Sequence, residues 1–174
     1  MATFKNLILF FFIAVLVVLT IYYFSPIQKI PGNVIIDKII ISKADHKLIT
    51  YSKGQMIVTY KIAIGKNPIG EKEYEGDGKT PEGMYTINDK NAESEFHKNL
   101  GISYPAAKDI LQAQQSGKPA GGSIKIHGLK NGNGYIGKFQ RWIDWTNGCI
   151  ALTNQEIDEL YSHTKIGTPV EIRK

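Results

Sequence analysis

Cys149 is the only cysteine in 174 residues, and it sits in the stretch DWTNGCIALTN with Gly148 directly before it. A sulfur nucleophile needs a base to hold it as thiolate, a group that orients the base, and donors for the oxyanion that forms when it attacks a carbonyl. Four histidines are available. His46 falls in a hairpin turn, His97 in a polar loop, and His163 at a helix C-terminus where the macrodipole favours positive charge. His127 has no such explanation. In SIKIHGLK, turning Ile124 and Ile126 toward a core turns Lys125 and His127 the other way, and Gly128 then breaks the strand. That places His127 at an exposed strand end, as a base for Cys149. Gly148 has no side chain, so a substrate carbonyl can approach the backbone and the N–H groups of Asn147, Gly148 and Cys149 can form an oxyanion hole. Asp144 is open to two roles, a third member orienting His127 or a turn residue opening the motif. A lone cysteine also fits an inert, buried small residue, and the count by itself leaves both open.

The compartment sharpens the choice. Residues 7–24 read LILFFFIAVLVVLTIYYF, with no charge and Thr20 as the one polar interruption, about the length that crosses a bilayer as a helix. A cleaved signal peptide and a retained anchor compete. The run exceeds a usual signal core and YYFSPIQ has no small-x-small cleavage site, so the anchor is favoured. Tyr22 and Tyr23 suit the interfacial belt, and a short head before a long domain fits export of everything after Phe24. This predicts a single-pass protein of the cell (inner) membrane with its domain outside the cytoplasm. Outside the cytosol cysteines occur in pairs, and one cysteine cannot form an internal disulfide.

Formal charge is +5, scattered without a basic block or aromatic-spaced stripe. Such a surface suits anionic wall polymers or lipid headgroups and argues against a nucleic-acid partner. The histidines and cysteine show no metal-ligand spacing, so no metal is expected. GNGYIG, residues 132–137, matches GxGxxG, yet KFQRW after it does not open a helix, and a flexible loop beside the site is the better reading than a dinucleotide cradle. No cofactor is expected.

These groups need a scaffold, and the pattern is mostly β. Residues 39–42 and 48–51 flank the turn KADHK as a hairpin. MIVTYKIAI alternates, putting Met56, Val58, Tyr60, Ile62 and Ile64 on one face. Residues 65–83 form a long, turn-rich loop before the strand MYTI, and loops of that length are commonly functional. Helices are predicted at 106–116, ended by Gly117, and at 154–163, where Thr153 and Glu156 make a capping box. PVEI closes the chain as a strand. The division is an anchor at 1–24, a linker at 25–33 that lifts the domain off the membrane, and one domain at 34–174.

The stretches GDGKTPEGMYTI, GISYPAAKD, GGSIKIHGL and DWTNGCIALTNQEIDELY together resemble the YkuD-type L,D-transpeptidases, in particular the ErfK/YafK-like branch of cell-wall enzymes. The resemblance spans about residues 39–172. Its most specific part is a histidine-glycine pair followed by [ST]-x-G-C, here His127-Gly128 and Thr146 to Cys149. It implies a β-sandwich or distorted barrel with two short helices, no cofactor, and peptidoglycan stem peptides as substrate. It further implies Cys149 as the attacking thiol, His127 as base, the Gly128 carbonyl as the group orienting that base, and a thioester intermediate. Tyr104, Trp145 and Thr146 are the expected substrate-lining residues, though each of the aromatics Tyr104, Trp142 and Trp145 fits either a groove or the core. Two positions depart from the family pattern: Asn147 stands where a second histidine is usual, and Ala151 where an arginine or asparagine is usual. The acyl acceptor stays open between an amine of a second stem peptide, a wall-linked lipoprotein, and water, which would make the protein a hydrolase. A non-catalytic wall-binding module is the reading from another class.

Overall fold

The computed structural model describes residues 2–174. An N-terminal helix, α1 (Ala2–Phe24), precedes a sheet domain. The domain holds β1 (Lys38–Ser42), β2 (Lys47–Ser52), β3 (Gln55–Lys61), β4 (Gly83–Ser94), β5 (His97–Ile102), α2 (Ala107–Gln115), β6 (Lys125–His127), β7 (Ile150–Ala151), α3 (Asn154–His163) and β8 (Pro169–Arg173), with a 3-10 segment at Gly134–Trp142. All eight strands join one sheet in the order β3-β2-β1-β8-β4-β5-β6-β7. The β1–β8 and β6–β7 pairs are parallel and the others antiparallel. The sheet curls into a half-barrel. Beyond β3, Ala63 and Ala151 of β7 exchange two backbone hydrogen bonds of 3.1 and 2.8 Å, so the first and last strands meet. Curling hides sheet edges that would otherwise pair with other chains.

Branched aliphatic side chains fill the interior, among them Ile39, Ile41, Leu48, Ile62, Ile64, Ile87, Leu100, Ile126, Ile150 and Leu152. Burying each contributes roughly 1.5–3 kcal/mol relative to exposure. The expected alternation in MIVTYKIAI holds for Val58, Tyr60, Ile62 and Ile64, all buried, but Met56 is 63% exposed. A register shift between Thr50 and Tyr51 puts Met56 opposite Tyr51 at the end of the hairpin, off the packed face.

α3 spans the expected residues and is capped as its sequence requires. Thr153 Oγ1 accepts from the Glu156 N–H, and a Glu156 carboxylate oxygen accepts from the Thr153 N–H. α2 is shorter than expected by one residue at each end, with Gly117 at φ +66 just beyond it. The strand begun by MYTI runs on through polar NDKNAES to make the twelve-residue β4, and β5 returns from it. This hairpin extends past the core and rests on backbone pairing, which hydrophobic alternation does not register. His97, expected in a polar loop, opens β5 and pairs with Asp158 at 2.9 Å.

Residues 65–83 are tightly structured. The Asp77 carboxylate accepts from the N–H groups of Glu73, Tyr74 and Lys79 and from the Lys72 ammonium. The buried Lys43 reaches in from the sheet to the carbonyls of Gly70 and Thr80 and to Glu82.

In α1, residues Phe4–Phe24 make an apolar helix of 21 residues with none of its stretch buried. The segment after it, expected as a linker that lifts the domain off the membrane, makes contacts with the domain. Ile30 is buried and its N–H donates to Glu159, Gln28 accepts from Thr59, and Ser25 is held by Lys138. The chain leaving α1 is laid onto the domain, because Ile30 completes its core.

Candidate active site

His127 ends β6 between Asn99 of β5 and Ala151 of β7. Flanked on both sides, it is only 5% exposed, which corrects the expected exposed strand end. Phe96 lies 4.7 Å from its ring and Trp145 5.7 Å, centroid to centroid. Its Nδ1 lies 2.7 Å from the Gly128 carbonyl oxygen. A carbonyl only accepts, so Nδ1 carries the proton and Nε2 is left with a lone pair. Burial pushes the His127 pKa down, the bond to Gly128 opposes this, and the Lys125 ammonium adds to the lowering, so the ring is neutral at pH 7. Gly128 is needed for packing: a Cβ there would stand 2.8 Å from Asn154 Oδ1 and 3.1 Å from both His97 and Ile157.

Cys149 shares one cleft with His127, a cavity of 470 Å³ that Phe96, Lys125, Trp145 and Asn147 also line. Its Sγ lies 3.6 Å from the Ser123 carbonyl oxygen. Burial pushes the thiol pKa up, while the Lys125 N–H, its ammonium and that of Lys72 pull it back in part. A raised thiol beside a lowered imidazole means that both rest uncharged. Burial thus works against the thiolate expected from the sequence.

A short turn delivers the thiol. Thr146 Oγ1 donates to the Cys149 carbonyl at 2.7 Å and accepts from the Gly148 N–H at 3.1 Å. That occupies one of the three expected oxyanion donors. The N–H groups of Asn147 and Cys149 have no acceptor among the described residues and are the ones free for an incoming oxygen. Gly148 has a second reason to be glycine: it sits at φ +126, and a Cβ would stand 2.6 Å from the Lys79 carbonyl oxygen. The backbone of the 65–83 loop fills the space that the sequence suggested was left for substrate.

Other expected residues fall elsewhere. Asp144 does not approach His127; its carboxylate accepts from the Ile64 N–H at 2.9 Å and pairs with His46 at 2.9 Å. Tyr104 is buried in the core, its hydroxyl donating to Ala120, and does not line the cleft. Thr146 and Trp145 do line it, and the Trp145 indole N–H is held by Gln140. Trp142 points away from the cleft and packs on Tyr22 and Phe139. Of GNGYIG, Gly134 to Gly137 belong to the 3-10 segment, kinked at Gly137, instead of forming a flexible loop.

Sequence reading missed Phe96 and Asn99, which line the cleft from the β4–β5 hairpin. The signal available was the alternation of Leu100 and Ile102, which puts Asn99 on the face opposite Leu100. Lys125 was legible, since it shares His127's face, and it forms no ion pair among the described residues. No group of three or more His, Cys, Asp or Glu is placed to hold a metal among those residues.

YafK of Escherichia coli (strain K12) is 31% identical over 110 residues, 62% of this chain and 37% of YafK. YqjB of Bacillus subtilis (strain 168) is 27% identical over 148 residues, 83% of this chain and 74% of YqjB. Both bear provisional L,D-transpeptidase names. Among solved structures, the helical cell shape determining protein Pgp2 of Campylobacter jejuni, as its K307A mutant, superposes with a TM-score of 0.61 at 25% identity, covering 85% of this chain and 50% of that one. The L,D-transpeptidase of Xylanimonas cellulosilytica shares the fold, with a TM-score of 0.51 at 14% identity over 83% of this chain and 63% of that one. The chain thus spans about a third of YafK and half of Pgp2. The YkuD family, L,D-transpeptidase catalytic domain, matches residues 36–172, and this chain belongs to that family.

Proposed function

We propose that the protein is a cysteine-dependent L,D-transpeptidase acting on peptidoglycan stem peptides, held at the cell membrane by α1 with its domain outside the cytoplasm. The observation that carries this is the state of His127: Nδ1–H is committed to Gly128, so Nε2 is a free base in the cleft that also holds Cys149. In the first step the Cys149 proton passes to Nε2 as sulfur attacks the carbonyl carbon of an L,D-peptide bond. The N–H groups of Asn147 and Cys149 receive the oxyanion, and Lys125 steadies the developing negative charge. The C–N bond then breaks, His127 gives its proton to the leaving amine, and a thioester remains. An amine of a second stem peptide, or of a wall-linked lipoprotein, attacks the thioester, loses its proton to His127, and restores the thiol.

The test is intact-mass analysis of the protein with a stem tetrapeptide, with and without an added amine acceptor. Wild type is expected to show an acyl adduct on Cys149 and an acceptor-dependent crosslinked product, and Cys149→Ala neither. Turnover by the variant at the wild-type rate would refute the assignment. Product without acceptor dependence would replace transfer by hydrolysis, and no adduct with either the tetrapeptide or a carbapenem would leave a wall-binding module.

A further inference from the structure

The end of α1 is fixed to the 3-10 segment instead of hanging from it. Tyr22 lies 5.9 Å from Phe139 and 6.1 Å from Trp142, and Tyr23 lies 5.4 Å from Phe139. The Tyr23 hydroxyl donates to the Tyr135 carbonyl at 2.6 Å. Lys138, itself buried, donates to the Tyr22 carbonyl, the Ser25 carbonyl and Ser25 Oγ, adding to the Ser25 Oγ–H bond that the Tyr22 carbonyl already accepts at the helix end. Gly137 admits this contact: at φ +53, a Cβ would stand 2.8 Å from the Tyr23 ring.

That junction fixes the depth of its neighbours. Tyr22 is in the last turn of an apolar helix of 21 residues, at the level where such a span leaves the hydrocarbon. Ring contact therefore puts Trp142 at the same level. Around it the surface is apolar and open: Tyr135 is 73% exposed, Trp142 60% and Ile143 72%. An apolar groove of 290 Å³ between Ile136, Phe139 and Ile143 continues this face as far as Trp145, on the wall of the catalytic cleft.

We propose that this face, carried by Tyr135, Trp142 and Ile143, rests in the headgroup region of the same bilayer that α1 crosses. The inference depends on α1 being a retained span. The partner is the lipid interface, because the helix end that defines it is in direct contact with the face, and aromatic residues with a polar edge favour that layer. The domain is thereby seated on the membrane, and the cleft works on wall material at its surface.

The two tryptophans of the chain make this measurable. Full-length Trp145→Phe, whose only indole is Trp142, is placed in vesicles of phosphatidylethanolamine and phosphatidylglycerol, part of which carries bromine on the upper acyl carbons. Seating ~5–10 Å into the interface predicts roughly two-fold quenching of Trp142 with a blue shift. Full-length Trp142→Phe, reporting Trp145, is expected to be quenched less. Retention of the chain through an alkaline carbonate wash is scored separately. If the chain is retained and Trp142 is not quenched, the domain stands clear of the bilayer and the proposal is overturned while the anchor stands. If the chain is not retained, the anchor fails and the proposal with it. Adding Lys138→Met to the Trp145→Phe chain is expected to reduce the quenching, and unchanged quenching would overturn the role given to the docked helix end.

Discussion

A Cβ built on Gly148 stands 2.6 Å from the backbone oxygen of Lys79, so the residue before the thiol and the loop at 65–83 are fitted to each other through main-chain atoms. Backbone cannot swing aside as a lysine tip can. Gly148 also has φ +126, outside the range that side-chain-bearing residues prefer. Gly148→Ala is therefore expected to displace the turn carrying Cys149. A misplacement of ~1 Å costs on the order of 10²-fold in rate, and the strain costs roughly 1–3 kcal/mol of stability. Steady-state kinetics on a stem tetrapeptide together with a thermal melt checks this; near-wild-type kcat/KM would show that the turn tolerates the shift.

Lys125 acts on both members of the candidate pair. Its ammonium lowers the Cys149 pKa against burial and adds to the burial that lowers His127. In Lys125→Met both values are expected to rise. His127 then becomes protonated at higher pH, moving the acid limb of the acylation rate upward. The thiolate emerges only at higher pH, moving iodoacetamide labelling of Cys149 upward as well. Two limbs shifting in the same direction is the signature. Opposite shifts, or none, would contradict the placement of Lys125 beside both groups.

Asp144 gives a test of what orients the imidazole. Its oxygens hold the Ile64 N–H and His46, while His127 is held by Gly128. Asp144→Ala strips a partner from a part-buried N–H, at a cost of about 1–3 kcal/mol. The melting temperature is expected to fall while the pH dependence of kcat/KM keeps its shape. A shifted acid limb would instead restore Asp144 as a partner of His127.

How much of this was legible in the chain follows from which physical signal each residue carries. Ile124 and Ile126 set the parity of β6, and parity put Lys125 and His127 on one face, where they are found. Thr153 and Glu156 announced α3 because a cap is a local hydrogen-bond exchange. The polar half of β4 and all of β5 escaped because their pairing is a backbone property with little apolar alternation to reveal it. The burial of His127 escaped because it comes from flanking strands distant in sequence, and Gly148's contact with Lys79 because the two lie sixty-nine positions apart. Tyr104 was misplaced because an aromatic in a motif has the same composition whether it faces a groove or the core.

The 65–83 loop rests on Asp77 and Lys72, both buried and 2.8 Å apart. Burial alone would raise the Asp77 pKa, but the Lys72 ammonium and the N–H groups of Lys79, Glu73 and Tyr74 outweigh it and hold the carboxyl below its usual range. A carboxyl whose pKa is lower folded than unfolded contributes stability above its unfolded value, ~3.9, and that contribution is lost as pH falls through the folded value. Asp77→Leu leaves Lys72 buried without its partner and is expected to cost about 3–5 kcal/mol near neutral pH. Replacing both, as Lys72→Met with Asp77→Leu, is expected to recover part of that loss. Urea unfolding of the three chains from neutral pH down to below the unfolded carboxyl pKa checks the sign: the gap between wild type and Asp77→Leu should narrow on acidification. Because Lys79 of this loop abuts Gly148, Asp77→Leu is also expected to lower kcat/KM. A gap that widens as pH falls would show that Asp77 is not held as a carboxylate by these donors.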